Sequence, residues 1–165
     1  MDAIFIRAAT PDDEAILSDL LSASYARLKG YDPRSLTNAV PLMSTANPKL
    51  LASGTYYVAE IAARAAGCGG WTRQKPGTGE TSDGVGHIRH FATHPDFLRR
   101  GVAMRLLRHC IDEARQRGVH VLMSQSTLPA ESFYASAGFR RLNAIDVEMA
   151  PGIILPAIEM RLDLS

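Results

Sequence analysis

Cysteine is scarce in this chain: 165 residues hold two, Cys68 and Cys110. One lies in a glycine-rich stretch and the other on an apolar helix face, a placement that suits two small buried thiols better than a disulfide or a metal pair. An excess of one charge is missing as well, since 18 Lys and Arg stand against 17 Asp and Glu for a net charge of +1. Bulk charge thus offers no footprint for nucleic acid or for an anionic membrane surface. No run of about eighteen apolar residues is present to span a bilayer, and the start of the chain lacks the basic and long apolar regions of a signal peptide. The expectation is a cytoplasmic protein with neither nucleic acid nor membrane as partner. Five histidines are scattered without paired spacing, which gives no metal motif. No internal repeat is found.

What is present is ordinary in bulk and specific in places. A composition of 46% hydrophobic and 21% charged residues suits one globular domain over residues 1–165, large enough to bury a core. The most specific feature is a helix that opens on cations. After His94-Pro95-Asp96-Phe97-Leu98 come Arg99-Arg100-Gly101-Val102-Ala103-Met104. A helix N-terminus carries free N–H groups and about half a positive charge, so it attracts acids; two arginines there ask for an anionic guest. Gly101 and the small Ala103 leave the turn open, and its N–H groups can cradle a phosphate.

Val102, Leu106, Leu107, Cys110, Ile111 and Ala114 form one apolar stripe behind that turn, Glu113 and Arg117 pair one turn apart, and Gly118 stops the helix. A strand over residues 86–93 precedes it and a second over 119–126 follows, which makes a right-handed β-α-β unit with parallel strands. Upstream, a short strand over 3–8 leads to Thr10-Pro11-Asp12-Asp13, a strong helix start. That helix carries Ile16, Leu17, Leu20, Leu21 and Ser24 on one face and should reach about Lys29. Residues 31–53 read as short helices and loops, 55–61 and 67–72 as a hairpin, and 74–86 as an exposed loop. Residues 139–149 and 156–164 read as two terminal strands. The sum is an α/β or α+β sheet domain.

The strand ending in Phe91-Ala92-Thr93-His94-Pro95, the Arg99-Arg100-Gly101-Val102-Ala103 loop and the later Ala130-Glu131-Ser132-Phe133-Tyr134-Ala135-Ser136-Ala137-Gly138-Phe139 resemble, in order and spacing, the acetyl-CoA-binding core of the GNAT superfamily of N-acetyltransferases. The similarity is strongest over residues 55–142. It implies a mixed, mostly antiparallel sheet of six to seven strands with a splayed parallel pair and flanking helices. It also implies acetyl-CoA as acyl donor, no metal, and a small-molecule or peptide amine as acceptor; a homodimer stays open. The family's loop pattern starts on Gln or Arg, where this chain has Leu98, expected to pack inward; Thr127 stands where the family often has Asn.

By the same resemblance, main-chain groups of Arg99, Arg100, Gly101, Val102, Ala103 and Met104 hold the pyrophosphate. Phe91, Ala92 and Thr93 meet the pantetheine arm, with Thr127 and Phe133 nearby, and Tyr134 protonates the departing thiolate. A phenol near pKa 10 lies close enough to a thiol for that donation. His87 sits where several relatives carry a glutamate and is the candidate base. His90 is of opposite strand parity and faces away from His87 unless the strand bulges. His94 and His120 read as structural or exposed. Tyr25, Tyr31 and Trp71 are aromatic candidates for acceptor contact or for packing. A CoA-binding sensor without turnover is the alternative. A nucleotide-binding domain fails for want of a Gly-Lys-Ser/Thr loop or three spaced glycines.

Overall fold

The computed structural model describes residues 2–164. Among these, the strands form one seven-stranded sheet. In chain order the elements are β1 (Phe5–Ala8), α1 (Glu14–Tyr25), α2 (Pro33–Met43), α3 (Pro48–Leu51), β2 (Tyr56–Ile61), β3 (Arg64–Thr72), β4 (Val85–Thr93), α4 (Val102–Gln116), β5 (Val121–Ser126), α5 (Glu131–Ser136), β6 (Arg140–Ala150) and β7 (Ile153–Asp163). The spatial order is β1-β2-β3-β4-β5-β7-β6. Only β4 and β5 run parallel among the described pairs. This is the mixed sheet with one parallel pair that the resemblance implies.

Two apolar clusters cover the two faces. On one, the α4 stripe of Val102, Leu106, Leu107, Cys110 and Ala114 packs with Tyr57, Ala59, Trp71, Leu122 and Met160. On the other, Leu17, Leu20 and Leu21 of α1 pack with Ala39, Met43, Tyr56, Val58 and Cys68. Each fully buried leucine is worth about 1.5–3 kcal/mol. Both cysteines are free and buried, as their apolar surroundings suggest. Among the described residues no helix is long and apolar enough to cross a membrane.

Three boundaries and one helix-face position differ from the sequence reading. The first helix stops at Tyr25, short of Lys29, because Arg27 and Leu28 donate back to Ser24 and Tyr25 in a tighter turn and Gly30 takes φ +88°. Ile16 leaves the apolar face and is 53% exposed, one step of about 100° around the helix from Leu17. The hairpin strand begins at Arg64 rather than Gly67, after a turn in which Ala62 and Ala63 hold φ of 50° and 64° without glycine's help. β7 begins at Ile153 and runs through Pro156. There it pairs with β6 alone, because the β5 ladder reaches only Ile158, so the missing proline N–H costs no inter-strand bond on that side.

Candidate active site

The site begins where the parallel pair ends. β4 and β5 are paired through Val85↔Val121, Gly86↔Leu122 and His87↔Met123, and no farther. Beyond His87, β4 keeps only β3 as neighbour while β5 follows β7 to Ser126↔Ile158. The strands therefore splay. On the β3 side the register moves from Gly70↔Arg89 to Cys68↔Ala92, so His90 and Phe91 stand together opposite Gly69. This is a β-bulge, and His90 takes φ +52° within it. Gly69 is required here: a Cβ on it would lie 2.5 Å from the Phe91 ring.

Two tyrosines hold the bulge. The Tyr56 hydroxyl donates to the His90 carbonyl at 2.6 Å, and the Tyr25 hydroxyl donates to the Phe91 carbonyl at 3.0 Å. His90 itself stacks on Tyr25, ring centroids 5.8 Å apart and 13° from parallel. Its Nε2 lies 2.7 Å from the Met43 carbonyl. A carbonyl can only accept, so Nε2 carries the proton and Nδ1 keeps the lone pair. Burial pushes the His90 pKa below its ordinary value, which keeps the ring neutral.

The splay opens a cavity of about 620 Å³ lined by β4 from Ile88 to Thr93, by Tyr25, and by Ser124, Gln125 and Thr127 at the end of β5. Ala103, Phe133 and Tyr134 line it too. Tyr134, 5% exposed, sits among Phe91, Phe133 and Phe139, with ring centroids at 6.4, 5.0 and 5.4 Å. Burial raises its pKa well above a free phenol's and the Ser124 hydroxyl draws it back in part, so the hydroxyl stays protonated.

The arginine-opened helix stands at the same cavity through Ala103. Gly101 is its N-cap at φ +78°, no side chain caps it, and its first turn holds no acid. Arg105 N–H is the first to reach back, to the Gly101 carbonyl at 3.0 Å. The N–H groups of Val102, Ala103 and Met104 therefore have no intrahelical acceptor, which makes this an anion seat. A Cβ at Gly101 would meet nothing within 4 Å, so glycine serves here for its positive φ rather than for close approach. Arg99 and Arg100 are exposed and have no carboxylate partner among the described residues; Arg100 lies over the Phe97 ring at 5.4 Å.

Several sequence candidates land elsewhere. Leu98 does not pack inward: at ψ 149° the chain turns extended after the Pro95–Phe97 turn, and Leu98 lines the cavity with its side 53% exposed. His87 lies in the paired half of β4, where it lines an adjoining cavity of about 210 Å³ with Lys75, Glu80, Gln125 and Glu159. It does not line the cavity that holds Tyr134. His94 caps the Pro95–Phe97 turn by accepting from Asp96 N–H at 3.1 Å, and His120 is exposed. Of the three aromatic candidates, Tyr25 lines the Tyr134 cavity. Trp71 is 2% exposed and donates to Glu113 Oε1 at 2.8 Å, while Tyr31 bridges the Pro156 carbonyl and Leu128 N–H.

The acetyltransferase (GNAT) family model matches residues 19–139, which include β4, α4 and α5. The chain belongs to the GNAT family. Its fold matches a GCN5-related N-acetyltransferase from Rhodopseudomonas palustris with a TM-score of 0.74 at 20% identity, over 99% of this chain and 96% of that one. The ribosomal-protein-S18-alanine N-acetyltransferase of Escherichia coli gives a TM-score of 0.66 at 18% identity, over 99% and 95%. The structure of yncA from Salmonella typhimurium with its cofactor acetyl-CoA gives 0.65 at 22% identity, over 99% and 95%. No protein of curated function matches the chain in sequence. Within this GNAT fold, three residues at the site carried no signal in the sequence: Tyr56, which holds the bulge, Ser124, whose hydroxyl stands beside Tyr134, and Arg89, which lines the same cavity. The histidine parity rule carried the signal for the bulge but not its position.

Proposed function

We propose that this chain transfers the acetyl group of acetyl-CoA directly to a primary amine of a small molecule or peptide, within a ternary complex. The observation that carries this reading is one cavity bounded by Tyr134, by the unpaired end of β4 and by the uncapped first turn of α4. The residues present suit the donor. The free N–H groups of Val102, Ala103 and Met104 would seat its pyrophosphate, assisted by Arg99 and Arg100, and the open edge of Phe91, Ala92 and Thr93 would meet the amides of its arm, with Thr127 and Phe133 as the facing wall. Acetyl-CoA supplies an acyl group activated as a thioester.

In the transfer a C–N bond forms to the amine as the C–S bond breaks. Tyr134 gives its hydroxyl proton to the departing sulfur, and its burial suits the role, since the same desolvation raises the proton affinity of a thiolate leaving into the cavity. The amine must shed a proton, and the base we assign is His90, whose neutral ring lines that cavity and keeps a lone pair on Nδ1. His87 could act only through solvent, across Ile88, Ser124 and Gln125, which line both cavities. An acyl-enzyme is disfavoured: both cysteines are 0% exposed, and burial pushes the Cys68 thiol up to about 12 and Cys110 higher still.

The test is CoA release from acetyl-CoA across a panel of amines, alongside direct measurement of CoA binding. Amine-dependent release above hydrolysis is expected. Tight CoA binding with no amine raising release would replace the transferase by a non-catalytic CoA-binding protein.

A further inference from the structure

Arg89 stands at a junction. It is half-buried on β4, immediately before the bulge, and it lines both the Tyr134 cavity and a neighbouring one of about 710 Å³. Its Nη1 is tied down, donating to Thr72 Oγ1 at 2.9 Å and more weakly to the Gln74 carbonyl at 3.5 Å. Thr72 Oγ1 in turn donates to that same carbonyl at 2.8 Å, so the tether is itself braced. Among the described residues Nε and Nη2 have no partner. No carboxylate lies within ion-pair distance of the guanidinium among the described residues. Burial lowers its pKa, as it must for a cation taken from water without a counter-charge.

The surroundings do not supply that counter-charge. The neighbouring cavity is lined by Lys49, Arg73, Lys75, Arg89 and Arg117 and by no Asp or Glu. Among the described residues, Arg117 alone of these cations pairs with an acid, Glu113 at 3.6 Å. Arg73 instead donates to the Arg117 carbonyl at 2.6 Å. Five cations around one concavity repel one another, and a half-buried one among them gains most from an anion.

We infer that Arg89 is the seat of a carboxylate on the acceptor, held by the free Nε–Nη2 edge with the surrounding cations as its field. The inference rests on the acetyltransferase reading for what that ligand is. The edge offers two parallel N–H donors in a plane, the pattern that a carboxylate's two oxygens accept together. Nη1 is already committed to Thr72, which fixes the plane before the ligand arrives and lowers the ordering cost of binding. Because Arg89 lines the same cavity as Tyr134 and adjoins His90 in the chain, an acid anchored there belongs to the same short molecule as the reacting amine.

The test compares amino acids with their amides and with aminophosphonates of equal length, by CoA release and by the binding of the N-acetylated acid against the N-acetylated amide. The acids should exceed their amides in kcat/KM by about tenfold or more. Arg89→Gln should cut kcat/KM for acids about ten- to a hundredfold, mostly through KM, so that the acid-to-amide ratio falls toward one. Arg89→Lys keeps charge without the fork and should recover only part of that ratio. Equal use of acids and amides, or a ratio that survives Arg89→Gln, overturns the seat while leaving acetyl transfer intact. Better turnover of phosphonates than of carboxylates overturns the carboxylate assignment. Binding of the N-acetylated acid that Arg89→Gln abolishes, with no turnover of any amine, keeps the seat and overturns the transferase instead.

Discussion

The two halves of β4 are held in different ways. From Val85 to His87 the strand is paired with β5, joined at His87 by β3, and its neighbours are core: Trp71, Leu122 and Val119 crowd Gly86 so closely that a Cβ there would meet Leu122 at 3.0 Å. From Ile88 to Thr93 it has β3 alone, bulges at His90, and faces a cavity. One half is held by the sheet. The other keeps β3 and is held besides by the hydroxyls of Tyr25 on α1 and Tyr56 on β2 and by the Met43 carbonyl of α2. Where β5 leaves β4, contacts from other elements thus replace its restraint on the strand's geometry.

Variants in the two halves should separate stability from chemistry. The largest effect belongs to Tyr134→Phe on the open side: kcat should fall about 10²–10⁴-fold with little change in melting temperature or acetyl-CoA binding, read by steady-state kinetics and thermal denaturation. Equal loss of kcat and cofactor affinity would make Tyr134 a packing residue. On the closed side, Leu122→Ala removes a fully buried side chain and should cost about 2–5 kcal/mol of stability by denaturant titration. Its residual folded fraction should keep a near-normal kcat per active site.

The two histidines sharpen the contrast. His90→Ala should lower kcat on the order of 10²-fold, and His87→Ala much less. An inverted order would move the base into the paired half. For stability, burial depresses the His90 pKa in the folded state, so the unfolded chain binds the proton first as pH falls. His90 therefore favours the fold fully above its ordinary value near 6.5, and that contribution shrinks as pH drops from about 6.5 toward the lowered folded value. His90→Gln should flatten that part of the stability profile. The smallest effect is Tyr25→Phe, which removes one hydroxyl from the bulge: about 0.5–1.5 kcal/mol of stability and a few-fold rise in the acetyl-CoA KM.

The sequence was most legible where local chemistry and long periodicity agree. The α4 stripe, its glycine stop and the β-α-β order of β4, α4 and β5 follow from 3.6-residue spacing and punctuation, and the structure has them at those positions. Tyr134 and Ala103 at the cavity follow from motif order. The two-alanine turn at Ala62-Ala63 escaped because positive φ there is imposed by the hairpin rather than advertised by glycine or asparagine. The placement of His90 in the bulge escaped for a related reason. Strand parity counts residues, and a bulge adds one; its position depends on Gly69 facing the Phe91 ring and on hydroxyls reaching in from Tyr25 and Tyr56. Arg89 escaped because an unpaired guanidinium is defined by what is absent around it in space, which no spacing along the chain records.

The hydroxyl bonds that fix the bulge join residues 66 and 34 positions apart, whereas the β6–β7 hairpin closes between Ala150 and Ile153. Links of long sequence separation must overcome chain entropy before they return anything, so they form late in folding. The cleft is accordingly one of the last parts of the sheet to take shape. Pulse-labelled hydrogen exchange should find the hairpin amides protected before those of Phe91 and Ala92, and a chain halted short of docking α1 would own a nearly complete sheet with no working mouth.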